Sequence, residues 1–536
     1  MKRLDADAEV IESWKEISRY LDRDIRTLQR WEQERGLPVR RMPGGLKPGV
    51  YALKTELDAW RRNGGLHVAT AEHPVQEPLT SLAVLPFVSL TGDPEDRYCA
   101  DGLADEIITA LSRLPGLRVT ARTSSFAFRG KEEDVRGIGR RLNARAVLEG
   151  TYRRSGSRIR VTAQLVETSE GYHLWSERFD LQTGDLFTVQ DEIARAVVDA
   201  LRVRLVRAGA PAGSRTTSPE AYRLWLKARH HSLRHTPDEI LQSRELLART
   251  IAVDPGFARA HLGLAESYWE GAFFGIDRPC DAVAVGRPAV QKALEIDPTL
   301  GEAHAMLGIY RGLHDFDWED AERSFQRALE LAPSSSEVRT RYAAWRLEPD
   351  LRLEEARAQL NIAVELDPLS AIVHGCLGHH LIFRREFQQA AEELQLAVEL
   401  EPAYWWAHVY LAASHAFQGS FDKAEGIMQK LLSVTGGCPL VIGSYAFGYG
   451  AIGDRQRAEQ LRNQLLTSTS GYVPPLALAW SHLGLGEAES CLDWLEKAVE
   501  ERDPQIVEFQ PKPIYDGLRG HPRFKALLSA MHLDRR

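Results

Sequence analysis

Apolar positions recur at helical spacing from about Ser218 to the end of the chain, and five times the pattern stops at a residue followed by proline. The stops are Asp254-Pro255, Asp297-Pro298, Ala332-Pro333, Asp367-Pro368 and Glu401-Pro402, spaced by 43, 35, 35 and 34 residues. Repetition at a period near 34 residues predicts stacked helical hairpins. Before Pro402, Leu377-Gly378 lie on a first helix and Ala390, Leu394 and Ala397 on a second; Ala356, Leu360 and Ala363, then Ala321, Phe325 and Ala328, repeat the second-helix pattern. Small residues let paired helices approach, a large apolar residue fills the gap, and proline stops the second helix.

Upstream the period changes. Ser81 to Val88 reads as a short buried strand ended by Thr91-Gly-Asp-Pro94, and an amphipathic helix through Leu103, Ile107, Ala110, Leu111 and Leu114 follows. Leu117 to Thr123 predicts a second strand and Val135 to Leu142 a helix. Ala146 to Arg153 and Arg158 to Glu167 alternate as a hairpin about Ser155-Gly156, Trp175 to Phe179 adds a strand, and Val189 to Leu205 closes the unit as a helix. Nearer the start, Ser13-Trp-Lys-Glu16 has the form of a capping box. Trp14, Ile17 and Leu21 form the stripe of its helix, and Asp24 caps a second helix from Ile25 to Glu34, with Ile25, Leu28 and Trp31 facing a small core. A turn rich in Pro and Gly separates Val39-Arg40-Arg41 from Val50-Tyr51-Ala52-Leu53, and Thr55-Glu-Leu-Asp58 begins a last helix carrying Leu57 and Trp60.

These patterns divide the chain into residues 10–63, a linker over 64–80, an α/β unit over 81–207, a linker over 208–217 and a helical solenoid over 218–536 ending in a capping helix. The fold class is multidomain and mainly α, with a small winged helix-turn-helix, a central α/β domain and a C-terminal α-solenoid. The hairpins resemble the tetratricopeptide repeat family, apart from an insertion near Gly271 to Asp281 that contains Phe273 and Phe274. That resemblance implies binding of a protein or peptide along the first helices, where Tyr342, Arg346, His374, Trp406 and Tyr410 are candidates; packing between repeats is the competing role. Ala83-Val-Leu-Pro-Phe, Asp101-Gly-Leu, Ser124-Ser-Phe, Val147-Leu-Glu-Gly and His173-Leu-Trp resemble the TolB amino-terminal or FlgO-like domain. Thr27-Leu-Gln-Arg-Trp-Glu32, followed by the proline-containing turn and Tyr51, resembles the winged helix-turn-helix of MerR regulators and phage excisionases.

Charge sharpens the last resemblance. The whole chain carries a formal net charge of -8, yet residues 19 to 62 hold eleven Lys/Arg against six Asp/Glu, so a contact with double-stranded DNA is expected to be local. Arg26, Thr27, Gln29, Arg30 and Gln33 fall on the outer side of the second helix, and these side chains suit base edges in a major groove. The resemblance assigns Arg40, Arg41 and Lys47 to phosphate. Gly64-Gly65 stops the helix that would dimerise a MerR regulator, so a homodimer contact would come from elsewhere.

The five cysteines are scattered, with no C-x-x-C pair and no disulfide framework, and no apolar run reaches the roughly 18 residues of a membrane span, which together predict a cytoplasmic protein. His231 and His235 are four apart but lack the Glu of H-E-x-x-H, so no metal is expected. Asp101, Asp105, Glu106, His173 and Glu177 have no recognised catalytic spacing, and no nucleotide loop or nucleophile elbow is present. The expectation is a regulator, not an enzyme and without a cofactor, that binds DNA and a protein or peptide; the alternative is an assembly scaffold that does not bind DNA.

Overall fold

The computed structural model describes residues 10–35, 37–41, 50–54, 57, 58, 60, 81–114, 116–131, 133–156, 158–182, 192, 196, 216, 218–232, 236–434, 438–468 and 471–534. It is mainly helical and separates into two compact units, Met1–Glu77 and Pro78–Arg536. The helix expected over Val189 to Leu205, most of both linkers, Lys47 and His235 lie outside the described residues.

In the first unit, helix α1 (Trp14–Leu21) and helix α2 (Ile25–Arg35) accompany a three-stranded antiparallel sheet, β1 (Val10–Glu12), β3 (Val50–Leu53) and β2 (Arg40–Arg41), in that order. The Ser13 hydroxyl accepts from the Glu16 amide, whereas the Ser13 amide donates to the Val50 carbonyl at 2.8 Å, tying the cap to the central strand. Ile17, Leu21, Leu28, Leu57 and Trp60 fill the core as their spacing requires. Ile25 does not: it is 38% exposed at the first position of α2, where the Asp24 cap turns its side chain outward.

The second unit begins with a mixed sheet ordered β6 (Arg118–Val119), β4 (Ser81–Val84), β7 (Ala146–Ser155), β8 (Arg158–Glu167), β9 (His173–Gln182), with β5 (Val88–Ser89) also pairing β7. Strands β4 and β7 are parallel, and β7, β8 and β9 form an antiparallel meander whose first turn uses Gly156 at φ 62°. Gly150 must be glycine, because a Cβ there would sit 2.3 Å from the Thr162 carbonyl oxygen. Helix α3 (Pro94–Ser112), capped by Asp93, lays Leu103, Ile107 and Leu111 on the sheet. The segment expected as a strand to Thr123 is strand only to Val119, and Arg122–Phe126 turns into a short helix.

From Pro219 onward the chain forms antiparallel helical hairpins resembling tetratricopeptide repeats. Each of the five stop residues, Asp254, Asp297, Ala332, Asp367 and Glu401, is the C-cap of its helix. A second regularity follows each proline. The side chain six positions later returns to the proline carbonyl: His261 to Pro255, His304 to Pro298, Arg339 to Pro333, His374 to Pro368 and His408 to Pro402, at 2.7 to 3.2 Å. Proline exposes that carbonyl at the helix end, and the following helix supplies the donor. The chain then closes upon itself. The insertion extends a helix to Phe273, and Phe273 and Phe274 pack against Trp345, Trp406 and Trp405 of later repeats at 5.3 to 6.2 Å.

The C-terminal segment does more than cover the last hairpin. Arg523 of the final helix (Pro522–Ala530) pairs with Glu489, Asp493 and Glu496 there. The preceding turns reach across the stack: Gln505 donates to the Phe273 carbonyl, Arg385 pairs with Asp516 at 2.8 Å, and Trp480 donates to the Tyr515 hydroxyl at 2.7 Å.

Candidate functional site

Helix α2 presents Arg26, Gln29 and Arg30 as exposed residues along one side. Thr27 is half-buried and already committed, its hydroxyl donating to Asp24 at 2.6 Å and its amide to the same carboxylate at 2.9 Å, so it belongs to the cap that starts the helix. Those two bonds hold the Asp24 carboxyl below its ordinary range. Gln33 lies on α2, and Arg40 and Arg41 lie on β2 opposite Tyr51 and Val50.

In the repeats, the proposed wall residues are buried and held by contacts within the chain. Tyr342 donates to Glu322 at 2.6 Å; Arg346 pairs with Glu322 and Asp350. Trp406 stacks on Tyr404, meets the His379 ring edge-on and tilts against Tyr410. Tyr410 donates to Glu508 at 3.4 Å and accepts from Lys512 at 3.2 Å, both on the C-terminal segment. His374 donates from Nε2 to Pro368 and from Nδ1 to Glu393 at 2.7 Å, a doubly donating ring. Burial opposes its charge, but the bond to Glu393 prevails and raises its pKa. Packing is therefore the role in which these five side chains are seen.

Sequence reasoning missed the seam between the sheet and the hairpins. Asp105 on α3 pairs with Arg229 and, at 3.6 Å, with Arg122; its neighbour Glu106 pairs with Arg259. Farther along, Asp367 accepts from the Ser124 amide at 3.0 Å and from the Ser124 hydroxyl at 2.5 Å, while that hydroxyl accepts from the Leu369 amide at 2.7 Å. Burial pushes the Asp367 carboxyl up to about 6 despite those bonds. The Ala121 amide donates to the Leu366 carbonyl and Ser334 to the Leu117 carbonyl. Asp105 and Glu106 thus serve as anchors. Their signal was legible only as acidic residues on a helix face otherwise apolar.

This seam roofs a cavity of about 390 Å³, walled by the sheet unit at Asp105 and Arg122 and by the hairpins at Arg229, Glu266, Glu270 and Arg341. Its volume falls in the range of small-molecule sites. Burial lifts the Glu270 carboxyl to about 8, with Glu266 and Glu337 adding to the rise and Arg341 and Arg244 opposing it. Glu266 is lifted to about 7 by burial, against Arg341. Separately, Phe417, Phe421 and Ile452 are exposed beside an apolar groove of about 250 Å³ lined by Trp405, Met428 and Tyr445. No group of three or more potential metal ligands occurs among the described residues, and no described helix is long and apolar enough to cross a membrane.

Residues 78–196 match the family model of the second domain of HilA/YgeH-like transcriptional regulators. Over 250 residues the chain is 40% identical to putative adenylate cyclase 3 of Rhizobium meliloti strain 1021, covering 45% of this chain and 41% of that one. It is 25% identical over 254 residues to the transcriptional regulator HilA of Salmonella typhimurium strain LT2, covering 46% and 44%. The chain thus spans less than half the length of these relatives. Among solved structures it is similar to YrrB, described as a TPR protein with an unusual peptide-binding site, at 18% identity and TM-score 0.23, over 35% of this chain and 91% of that one. The expectation that the chain is not an enzyme is corrected here, because a relative at 40% identity is named a putative adenylate cyclase, which points to a possible enzyme.

Proposed function

We propose that this chain is a transcription regulator that binds double-stranded DNA through residues 10–63 and a protein or peptide partner through its repeats. The match of residues 78–196 to a domain of HilA/YgeH-like transcriptional regulators carries the reading. The basic excess over residues 19–62 supports it, with Arg26, Gln29 and Arg30 exposed on α2 and Arg40 and Arg41 on β2. In this reading α2 enters the major groove and Arg40, Arg41 and Lys47 meet phosphate, which sets register. A module of this size buries only about 600 to 1,000 Å² on DNA, so specificity calls for a homodimer or tandem sites. The apolar groove beside Phe417, Phe421 and Ile452 is the surface available to a protein partner, since the inner aromatic residues are already packed.

The test is selection of bound duplexes from a random pool by the full chain at moderate salt. Recovery of a common sequence supports the reading, and a pool that stays random overturns it. The name of the Rhizobium relative supplies a second reading, formation of cyclic AMP from ATP. Incubating the full chain with ATP and a divalent cation decides it by the presence or absence of cyclic AMP and pyrophosphate.

A further inference from the structure

The antiparallel meander of β7, β8 and β9 has one face committed to packing. Tyr152, Ile159, Val161 and Phe179 turn into the core shared with helix α3. Side chains alternate along a strand, so the neighbours of these residues stand on the opposite face. The register sets them in rows across the strands: Ser155 with Arg158, Arg153 with Arg160 and Asp180, and Thr151 with Thr162 and Arg178. Four arginines share this end of the sheet with one carboxylate.

Asp180 pairs with Arg160 at 2.6 Å and with Arg178 at 3.5 Å, yet both arginine side chains stay more than half exposed. The hydrogen bond from Arg160 does most to hold the Asp180 carboxyl below its ordinary range, and the charges of Arg178 and Arg158 add to it. Arg153 and Arg158 are themselves exposed, without an ion-pair partner among the described residues. Arg153 also stands directly opposite Arg160. Like charges so placed, with Cβ atoms about 4.5 to 5.5 Å apart, destabilise a sheet. The packing of the core gives no reason for the arrangement, because all four arginines lie on the outer face. A polyanion laid across them would turn the repulsion into attraction.

The layout of the face says which polyanion. Protein interfaces have an apolar centre and a polar rim. Here the order is reversed: arginine and threonine occupy the centre, while Val88, paired with Thr151, and Leu90 are exposed at one edge. Interfaces with DNA are more polar and far more positive, with arginine guanidinium groups and serine or threonine hydroxyls donating to phosphate. We propose that this sheet face is a second contact for double-stranded DNA, in which Arg153, Arg158, Arg160 and Arg178 meet backbone phosphates irrespective of base sequence. The proposal rests on the reading of the chain as a DNA-binding regulator. It adds a contact made by the unit that matches the HilA/YgeH-like domain, distinct from the one assigned to residues 10–63.

The experiment is fluorescence anisotropy of the full chain on a labelled random-sequence duplex of about 40 base pairs, at salt from about 50 to 200 mM. Arg153→Ala/Arg158→Ala leaves no carboxylate unpaired and should fold as the parent does. Each phosphate contact contributes about -0.9 to the slope of log affinity against log salt, so the slope should flatten by about 1.8 and the affinity lost over that range should shrink about tenfold. Asp180→Asn, which removes the one carboxylate of these rows, should tighten binding to every duplex. Arg249→Ala/Lys525→Ala takes the same charge from exposed positions on the hairpins and should leave the slope unchanged.

An unchanged slope in the folded Arg153→Ala/Arg158→Ala variant overturns the proposal, as does Asp180→Asn without tighter binding. Poly-L-glutamate that displaces the labelled duplex as well as unlabelled duplex does overturns it too. Should the double variant fail to fold, Asp180→Asn carries the test. If Arg41→Ala flattens the slope while the sheet variants do not alter binding, the DNA reading stands and this contact alone falls; a full chain that binds no duplex removes both.

Discussion

Trp318 donates its indole N–H to the backbone carbonyl of Met531 at 2.7 Å, a buried hydrogen bond spanning 213 positions of sequence. Nearby, the His532 ring donates to the Phe316 carbonyl at 3.2 Å. These bonds fasten the C-terminal segment to a hairpin far from the one that precedes it. Trp318→Phe keeps the ring contact, removes the donor and leaves a buried carbonyl unpaired, which costs about 1 to 3 kcal/mol. Denaturant unfolding should give a lower midpoint, and hydrogen exchange should rise over the segment around 522–534.

Ser124→Ala removes both the donor to Asp367 and the acceptor of the Leu369 amide. A loss of about 1 to 3 kcal/mol is expected, because the Leu369 amide is left unpaired while Asp367 retains the Ser124 amide. Exchange at 118–126 and 366–370 should rise together, since the bonds join those segments. A rise confined to one side would contradict the clamp.

Glu270 carries a pH dependence whose sign follows from linkage. Its folded pKa, about 8, lies above the ordinary glutamate value of 4.5, so the folded state holds the proton more tightly. The folded protein therefore keeps its full advantage below about 4.5 and loses it progressively as pH rises through about 8. Thermal unfolding midpoints should fall between pH 5 and 8.5, and Glu270→Gln should flatten that fall.

Gly450 sits where the helix Pro439–Ala451 meets Pro475–Gly484, and a Cβ there would lie 2.3 Å from the backbone of Gly484. Gly443 is pressed in the same way against Ala477, whose backbone would lie 2.5 Å from a Cβ there. Backbone cannot swing aside as a side chain does. Gly450→Ala should cost about 1 to 3 kcal/mol, read as a lower denaturant midpoint, whereas Gly426→Ala, with open space at its Cβ, should cost nothing comparable.

On DNA, Arg26→Ala and Arg30→Ala should relax base preference, while Arg41→Ala should weaken all duplexes alike and reduce the salt slope by about one phosphate contact. Binding isotherms at several salt concentrations separate the two outcomes.

The hairpins were legible because their punctuation is local: residue-proline stops such as Asp297-Pro298 terminate helices through backbone chemistry alone. The companion device was equally present in the text. His261, His304, His374 and His408 each fall six places after such a proline, and that fixed offset marks a turn fastening rather than a binding wall. Strand β1 was overlooked because three residues carry too little periodicity to stand out, and it forms through its partner Val50–Leu53. The seam and its cavity were beyond reach for another reason. Asp105 meets Arg229, Ser124 meets Asp367 and Phe273 meets Trp345 only once distant segments are brought together, and nothing local in any of them names its partner.

The clamp between Ser124 and Asp367 bears on how the molecule can be dissected. A fragment that starts at the first hairpin would bare Asp367, Arg229 and Arg259, charged groups that the intact chain never shows to solvent unpaired. Such a fragment would present an artificial adhesive face, and whatever it captured in a binding screen would report on the cut.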